Sequence, residues 1–120
     1  MNTRSPTLRS IGSHPVLGQL YPDMVGNMLG TGFCRFEGKD FDGLCRESGG
    51  CLDILAIISK NPGQGKFRMF VVALQSRYRA IRFYEVMNDG LYTHLSSSGF
   101  NDFDEWGVTG PNVIWESKTP

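Results

Sequence analysis

The sequence predicts a single α+β domain built on a mixed, mostly antiparallel central sheet, with a βαβ unit and flanking helices. Two observations carry the prediction. Cys51–Ser59 (CLDILAIIS) is almost continuously apolar, the loop Lys60-Asn61-Pro62-Gly63-Gln64-Gly65 follows it, Phe67, Phe70, Val71 and Leu74 then fall at i, i+3, i+4 and i+7, and residues 80–87 (AIRFYEVM) return to aromatic and β-branched types. Strand, loop, amphipathic helix and strand in that order make a βαβ unit, whose crossover is expected to be right-handed. Ahead of it, residues 32–37 and 41–46 read as two strands around Gly38-Lys39-Asp40, with a second turn at Ser48-Gly49-Gly50.

Residues 1–14 are polar and aperiodic and are expected to be an arm, leaving 15–120 as the domain. Between 15 and 29, Val16, Leu17, Leu20, Met24, Val25 and Met28 recur at helical spacing while Gly18, Pro22 and Gly26 interrupt it, which predicts two short helical pieces. The Ile-rich segment suits a strand buried on both faces in the middle of the sheet. Residues 88–98 predict a second helix with Leu91 and Leu95 on one side and Gly99 as its C-terminal stop, and strands at 100–103 and 112–117 close the chain.

With 120 residues, 40% of them hydrophobic, and twelve basic against twelve acidic side chains, the chain supports one packed core and is no general nucleic-acid binder. Its apolar runs are far below the ~20 residues of a membrane span, and no apolar stretch of signal-peptide length follows the charged N-terminus. Cys34, Cys45 and Cys51 are odd in number and match no zinc spacing, so reduced thiols, a cytoplasmic setting and no metal are expected.

The charge is segregated along the chain. Residues 60–82 hold Lys60, Lys66, Arg68, Arg77, Arg79 and Arg82 and no acid, whereas residues 83–117 hold six acids and neither Lys nor Arg. A Gly-rich loop at a helix N-terminus, reinforced by Lys60 and Lys66, suits a phosphate or pyrophosphate, although Gly63 and Gly65 also read as simple turn residues. Neither the P-loop nor the dinucleotide fingerprint is present. The basic run with Tyr78 lacks a groove-reading signature, so nucleic acid is not an expected partner.

The central strand, the Lys60-Asn61-Pro62-Gly63-Gln64-Gly65 loop, the amphipathic helix, the second strand and Asn88 placed eleven residues before Gly99-Phe100 resemble the GCN5-related N-acetyltransferase (GNAT) superfamily over about residues 51–103. The resemblance implies that the loop cradles the pyrophosphate of acetyl-CoA through Lys60, Gly63, Gln64, Gly65 and Lys66, with Lys where the family carries Gln or Arg. It further implies that Ile57, Ile58 and Ser59 pair with the pantetheine arm, and that Asn88 belongs to the same site. The family's usual tyrosine position, four residues before the Gly of Gly-Phe, is Leu95 here, and Tyr92 lies one turn earlier as a substitute proton donor or a packing residue. Glu85 and Asp53, carboxylates within apolar strands, are candidate general bases, and His94 is a weaker one.

The function implied is a small acyl-CoA-dependent N-acyltransferase, in which an unknown amine or protein acceptor attacks acetyl-CoA directly. The alternative is a non-catalytic binder. Compact relatives of this family are encoded by bacteriophages, and the short N-terminal half and Leu95 suit such a phage protein engaging a host protein partner. A homodimer is a further expectation, because apolar surface in so short a chain asks for cover.

Overall fold

An Ile-rich segment flanked by hairpin-forming sequence satisfies its backbone by pairing laterally with neighbouring strands. The computed structural model describes residues 10–22 and 32–118, and in it eight strands form one sheet in the order β1-β2-β3-β4-β5-β6-β8-β7. The strands are β1 (Gly12–His14), β2 (Gly18–Pro22), β3 (Cys34–Glu37), β4 (Phe41–Ser48), β5 (Cys51–Ser59), β6 (Ala80–Phe83), β7 (Asn101–Phe103) and β8 (Asn112–Glu116). Every ladder is antiparallel except β5–β6, which runs parallel around the helix α1 (Lys66–Gln75); α2 (Asp89–Ser97) follows β6.

This corrects the expected fold class. The described residues hold eight strands and only two helices, of ten and nine residues, and are more sheet-rich than the α+β fold of an acetyltransferase. The cause lies partly in the N-terminal half. Where helical pieces were expected between 15 and 29, Gly18–Pro22 pairs with β1 on one side and β3 on the other. Gly18 has φ 95°, and a Cβ there would lie 2.3 Å from the Glu37 carbonyl oxygen, so the glycine permits the tight return that makes a hairpin of this stretch. Met24, Val25 and Met28 lie outside the described residues.

A second correction concerns β5, expected to be buried on both faces throughout. Leu52, Asp53 and Ile54 are buried, whereas Ile58 is 68% exposed and Leu55 is 37% exposed. The reason is register: β6 pairs with Cys51 to Ile54 only, while β4 accompanies the whole strand. The β4–β5 ladder also slips, because Cys45 faces Ile54 and Leu44 faces Ala56, which leaves Leu55 as the extra residue of a β-bulge.

On one face of the sheet the core is aromatic. Phe41 lies 4.7 Å from Phe70, Phe67 lies 6.3 Å from Phe83, and Phe83 lies 5.6 Å from Phe100, each pair being worth about 0.5–1.5 kcal/mol beyond its buried area. The α1 stripe buries Phe70, Val71 and Leu74. The two helices touch, with Phe67 against His94 and Gln75 Nε2 donating to the Ser98 carbonyl.

The alternate residues of β4, β5 and β6 bring Arg46, Asp53 and Arg82 into one lateral row. Arg46 reaches Asp53 at 2.8 Å and Arg82 reaches it at 2.7 Å, with Asp53 itself 3% exposed. Both carboxylate oxygens are therefore taken by guanidinium groups. Asp53 is a clamp across three strands, which corrects its reading as a candidate base.

The β1–β2 hairpin is held by another polar contact. His14 Nδ1 accepts the Val16 and Leu17 N–H groups, so its hydrogen sits on Nε2 and donates to the Tyr78 hydroxyl, which in turn donates to Glu47. Burial first, then the Arg77 charge, lowers the His14 pKa, against the opposing pull of the Glu47 carboxylate. Among the described residues, no helix is long and apolar enough to cross a membrane.

Two outcomes are expected. Asp53→Ala lowers unfolding stability by about 3 kcal/mol, the low end for breaking a buried pair since both arginines keep roughly a third of their surface in water, and a denaturant titration measures it. For His14 the folded pKa lies below the unfolded value of 6.5, so its contribution is complete above that pH and is lost as the pH falls below it. Denaturant midpoints at pH 7.5 and 5.5 test this: His14→Gln flattens the dependence, and an equal fall in both proteins contradicts the assignment.

Candidate functional site

Where two parallel strands stop pairing, their backbones separate and leave a cleft with polar walls. The last β5–β6 contact is the Tyr84 N–H donating to the Ile54 carbonyl at 3.0 Å. Beyond it, residues 55–59 keep β4 on one side and have no strand on the other among the described residues. The opposite wall, residues 84–88, bends away: Glu85 has φ 52°, the one non-glycine with positive φ among the described residues, at a cost of about 1–3 kcal/mol. Its N–H donates to Asn112 Oδ1 at 2.9 Å, and the next N–H, of Val86, donates to the Pro111 carbonyl at 2.7 Å.

The cleft has two connected parts. A part of about 250 Å³ lies between residues 54–57 of β5 and residues 83–88, and a part of about 370 Å³ continues over Ser59, the 61–65 loop, Phe67 and His94. Ile57, Asn88 and Leu91 line both. At the far end stands the N-terminus of α1. Its N-cap is Gly65 with φ 67°, no side chain caps it, its first turn holds no acid, and Lys66 lies at the cleft. The residues that open the helix thus line the cavity and no side chain caps their N–H groups, which suits an anion.

Of the residues expected from the sequence, Ile57, Ser59, Gly63, Gln64, Gly65, Lys66 and Asn88 line the larger part and Glu85 the smaller. Asn88 also caps α2, its Oδ1 accepting the Leu91 N–H at 2.9 Å. Three other candidates stand elsewhere. Lys60 Nζ donates to the Gly38 carbonyl at 2.7 Å and pairs with Asp42 at 3.2 Å, which draws it to the β3–β4 turn. Ile58 projects to solvent. Tyr92 donates its hydroxyl to Asp102, which raises its pKa, and it does not line the cleft.

His94 does line the cleft. Its ring meets Phe67 edge-on at 5.1 Å, and its Nε2 is buried without a hydrogen-bond partner among the described residues. Tyr84 is a wall residue that sequence reasoning passed over; its hydroxyl donates to Glu105, and burial, the Asp53 charge and that bond push its pKa up to about 12. Burial likewise pushes the Cys45 thiol up to about 12, so it behaves as a small apolar side chain. Asn112 carried no local signal beyond its position after Pro111, because its partner is 27 residues away.

No protein-family model matches this chain, and no curated protein matches it.

Proposed function

We propose that this protein is a small acyl-CoA-dependent N-acyltransferase acting in the manner of the GCN5-related N-acetyltransferases that its sequence resembles. The observation that carries the reading is the cleft: a half-strand with one free edge, residues 55–59, leads to an uncapped helix N-terminus with Lys66 beside it. A pantetheine arm is a chain of amides and an extended linker, and it is complementary to a free strand edge. A pyrophosphate is complementary to the N–H groups of the Gly63-Gln64-Gly65 turn and of the α1 first turn. When bound, acetyl-CoA supplies the thioester electrophile.

The chain's own residues then have separate tasks. Backbone groups of 57–59 orient the arm, and Gly63, Gly65 and Lys66 hold the phosphates. Glu85, on the wall opposite β5, takes the proton from the acceptor amine, directly or through water. Tyr92 is bonded to Asp102 away from the cleft, which leaves His94, at the cleft, as the side chain nearest the task of returning a proton. The three free thiols, Cys34, Cys45 and Cys51, suit a cytoplasmic setting for this chemistry.

A non-catalytic binder is the second reading, and the diverted Lys60 and Tyr92 favour it. It keeps the cleft for recognition of a host protein or a second copy of the chain and needs no proton donor there.

Titration calorimetry with acetyl-CoA separates the two. Wild type is expected to bind in the micromolar range, Gly63→Ala to bind more weakly through backbone strain alone, and Gly63→Glu, which adds a carboxylate facing the phosphates, to lose binding. With binding in hand, acetyl transfer to a panel of spermidine, poly-lysine and a free-N-terminal peptide should fall by about 10²–10⁴-fold in Glu85→Gln. No binding at millimolar acetyl-CoA ends the enzyme reading.

A further inference from the structure

We propose that Asn112 is the positioning residue that keeps the cleft open, by holding Glu85 in its left-handed conformation and so turning residues 84–88 away from the second half of β5. The ligand part of this proposal rests on the acyl-CoA reading, and the conformational part stands on the backbone alone. In an extended strand successive N–H groups point to opposite sides. Here the Tyr84 N–H points to Ile54 on β5, whereas the Glu85 and Val86 N–H groups both reach the segment that begins β8, at Asn112 Oδ1 and at the Pro111 carbonyl. Two consecutive amides aimed at one partner require a residue out of the β region between them, and Glu85 at φ 52° is that residue.

Had the chain stayed extended, the parallel ladder would have continued past Ile54 and closed on the edge of 55–59. The Asn112 side chain intercepts it. An N–H can only donate, so the atom facing Glu85 is the amide oxygen of Asn112. That oxygen is in place at a visible cost, since Asn112 is 2% exposed and its Nδ2 has no hydrogen-bond partner among the described residues. Glu85 carries a cost of its own, because glycine would adopt this φ without strain. Two unfavourable features meeting in one 2.9 Å contact beside a cleft point to a role other than stability. Asn112 lines neither part of the cleft, so its removal acts on ligand binding only through the wall it holds.

The test compares wild type with Asn112→Ala, Glu85→Gly and the double variant in the full chain, at a temperature where each is folded by circular dichroism. Acetyl-CoA affinity is expected to fall about tenfold in Asn112→Ala, the worth of one ordinary hydrogen bond, and to recover in the double variant because glycine holds the turn unaided. A merely structural Asn112 moves the melting temperature but not the affinity, and substitution at Glu85 does not rescue it. Unchanged affinity in folded Asn112→Ala, or no rescue, overturns the proposal. If wild type binds no acetyl-CoA, the function reading fails and amide exchange decides this one: Asn112→Ala must speed exchange at Glu85 and slow it at residues 55–58 as the walls close, and unchanged exchange there overturns it. Should Asn112→Ala not fold, Asn112→Gln, which shifts the carbonyl by one methylene, replaces it with the same expectations.

Discussion

Four residue pairs, from Cys51–Ala80 to Ile54–Phe83, form the parallel ladder of this sheet, and the place where that ladder stops organises everything near it. A strand paired on both sides has no backbone group to offer a ligand, and a strand free along its whole length invites association with another chain. β5 is both in turn: locked over its first half and available over its second. The lock is reinforced by side chains, because Arg46, Asp53 and Arg82 stand in register on three adjacent strands and are joined by charge-assisted hydrogen bonds. This row crosses the paired half at Asp53, two residues before the bulge at Leu55.

The opposite face of the same strands carries the aromatic core, and that core also builds the cleft. Phe67 opens the first full turn of α1 and touches Phe41, Phe83 and His94, so one ring belongs at once to the packing of the helix on the sheet and to the wall of the cavity. The helix N-terminus is thereby fixed by burial of Phe70, Val71 and Leu74 rather than by a cap. An uncapped end held rigidly against a cavity is preorganised for an anion, since no side chain must first be displaced.

Much of this was legible along the chain. The stripe Phe67, Phe70, Val71, Leu74 foretold α1 within a residue or two, and the Gly38-Lys39-Asp40 turn, the Ile-rich strand and Gly99 marked their elements, because each is set by neighbours within one or two turns of chain. Most of the expected loop and strand positions also line the cleft, because a loop that joins a strand to a helix must lie at the end of both. What failed did so for lateral reasons. Pro22 and Gly18 read as helix breakers when they are the two ends of a strand paired on both sides, Lys60 read as a phosphate ligand when Asp42 from the neighbouring strand claims it, and Asp53 read as a base when arginines on either side hold it.

By itself, then, the sequence determined the periodic elements, the single domain-sized core and the chemistry present on the 60–66 loop, since these follow from composition and from contacts between residues close in the chain. Tertiary structure alone decided how far β6 accompanies β5, that Glu85 turns left-handed at the cleft, and that Asn112 supplies the oxygen its N–H needs. The bond between Glu85 and Asn112 joins residues 27 apart, and no local pattern of hydrophobicity or turn residues encodes a hydrogen bond across that separation.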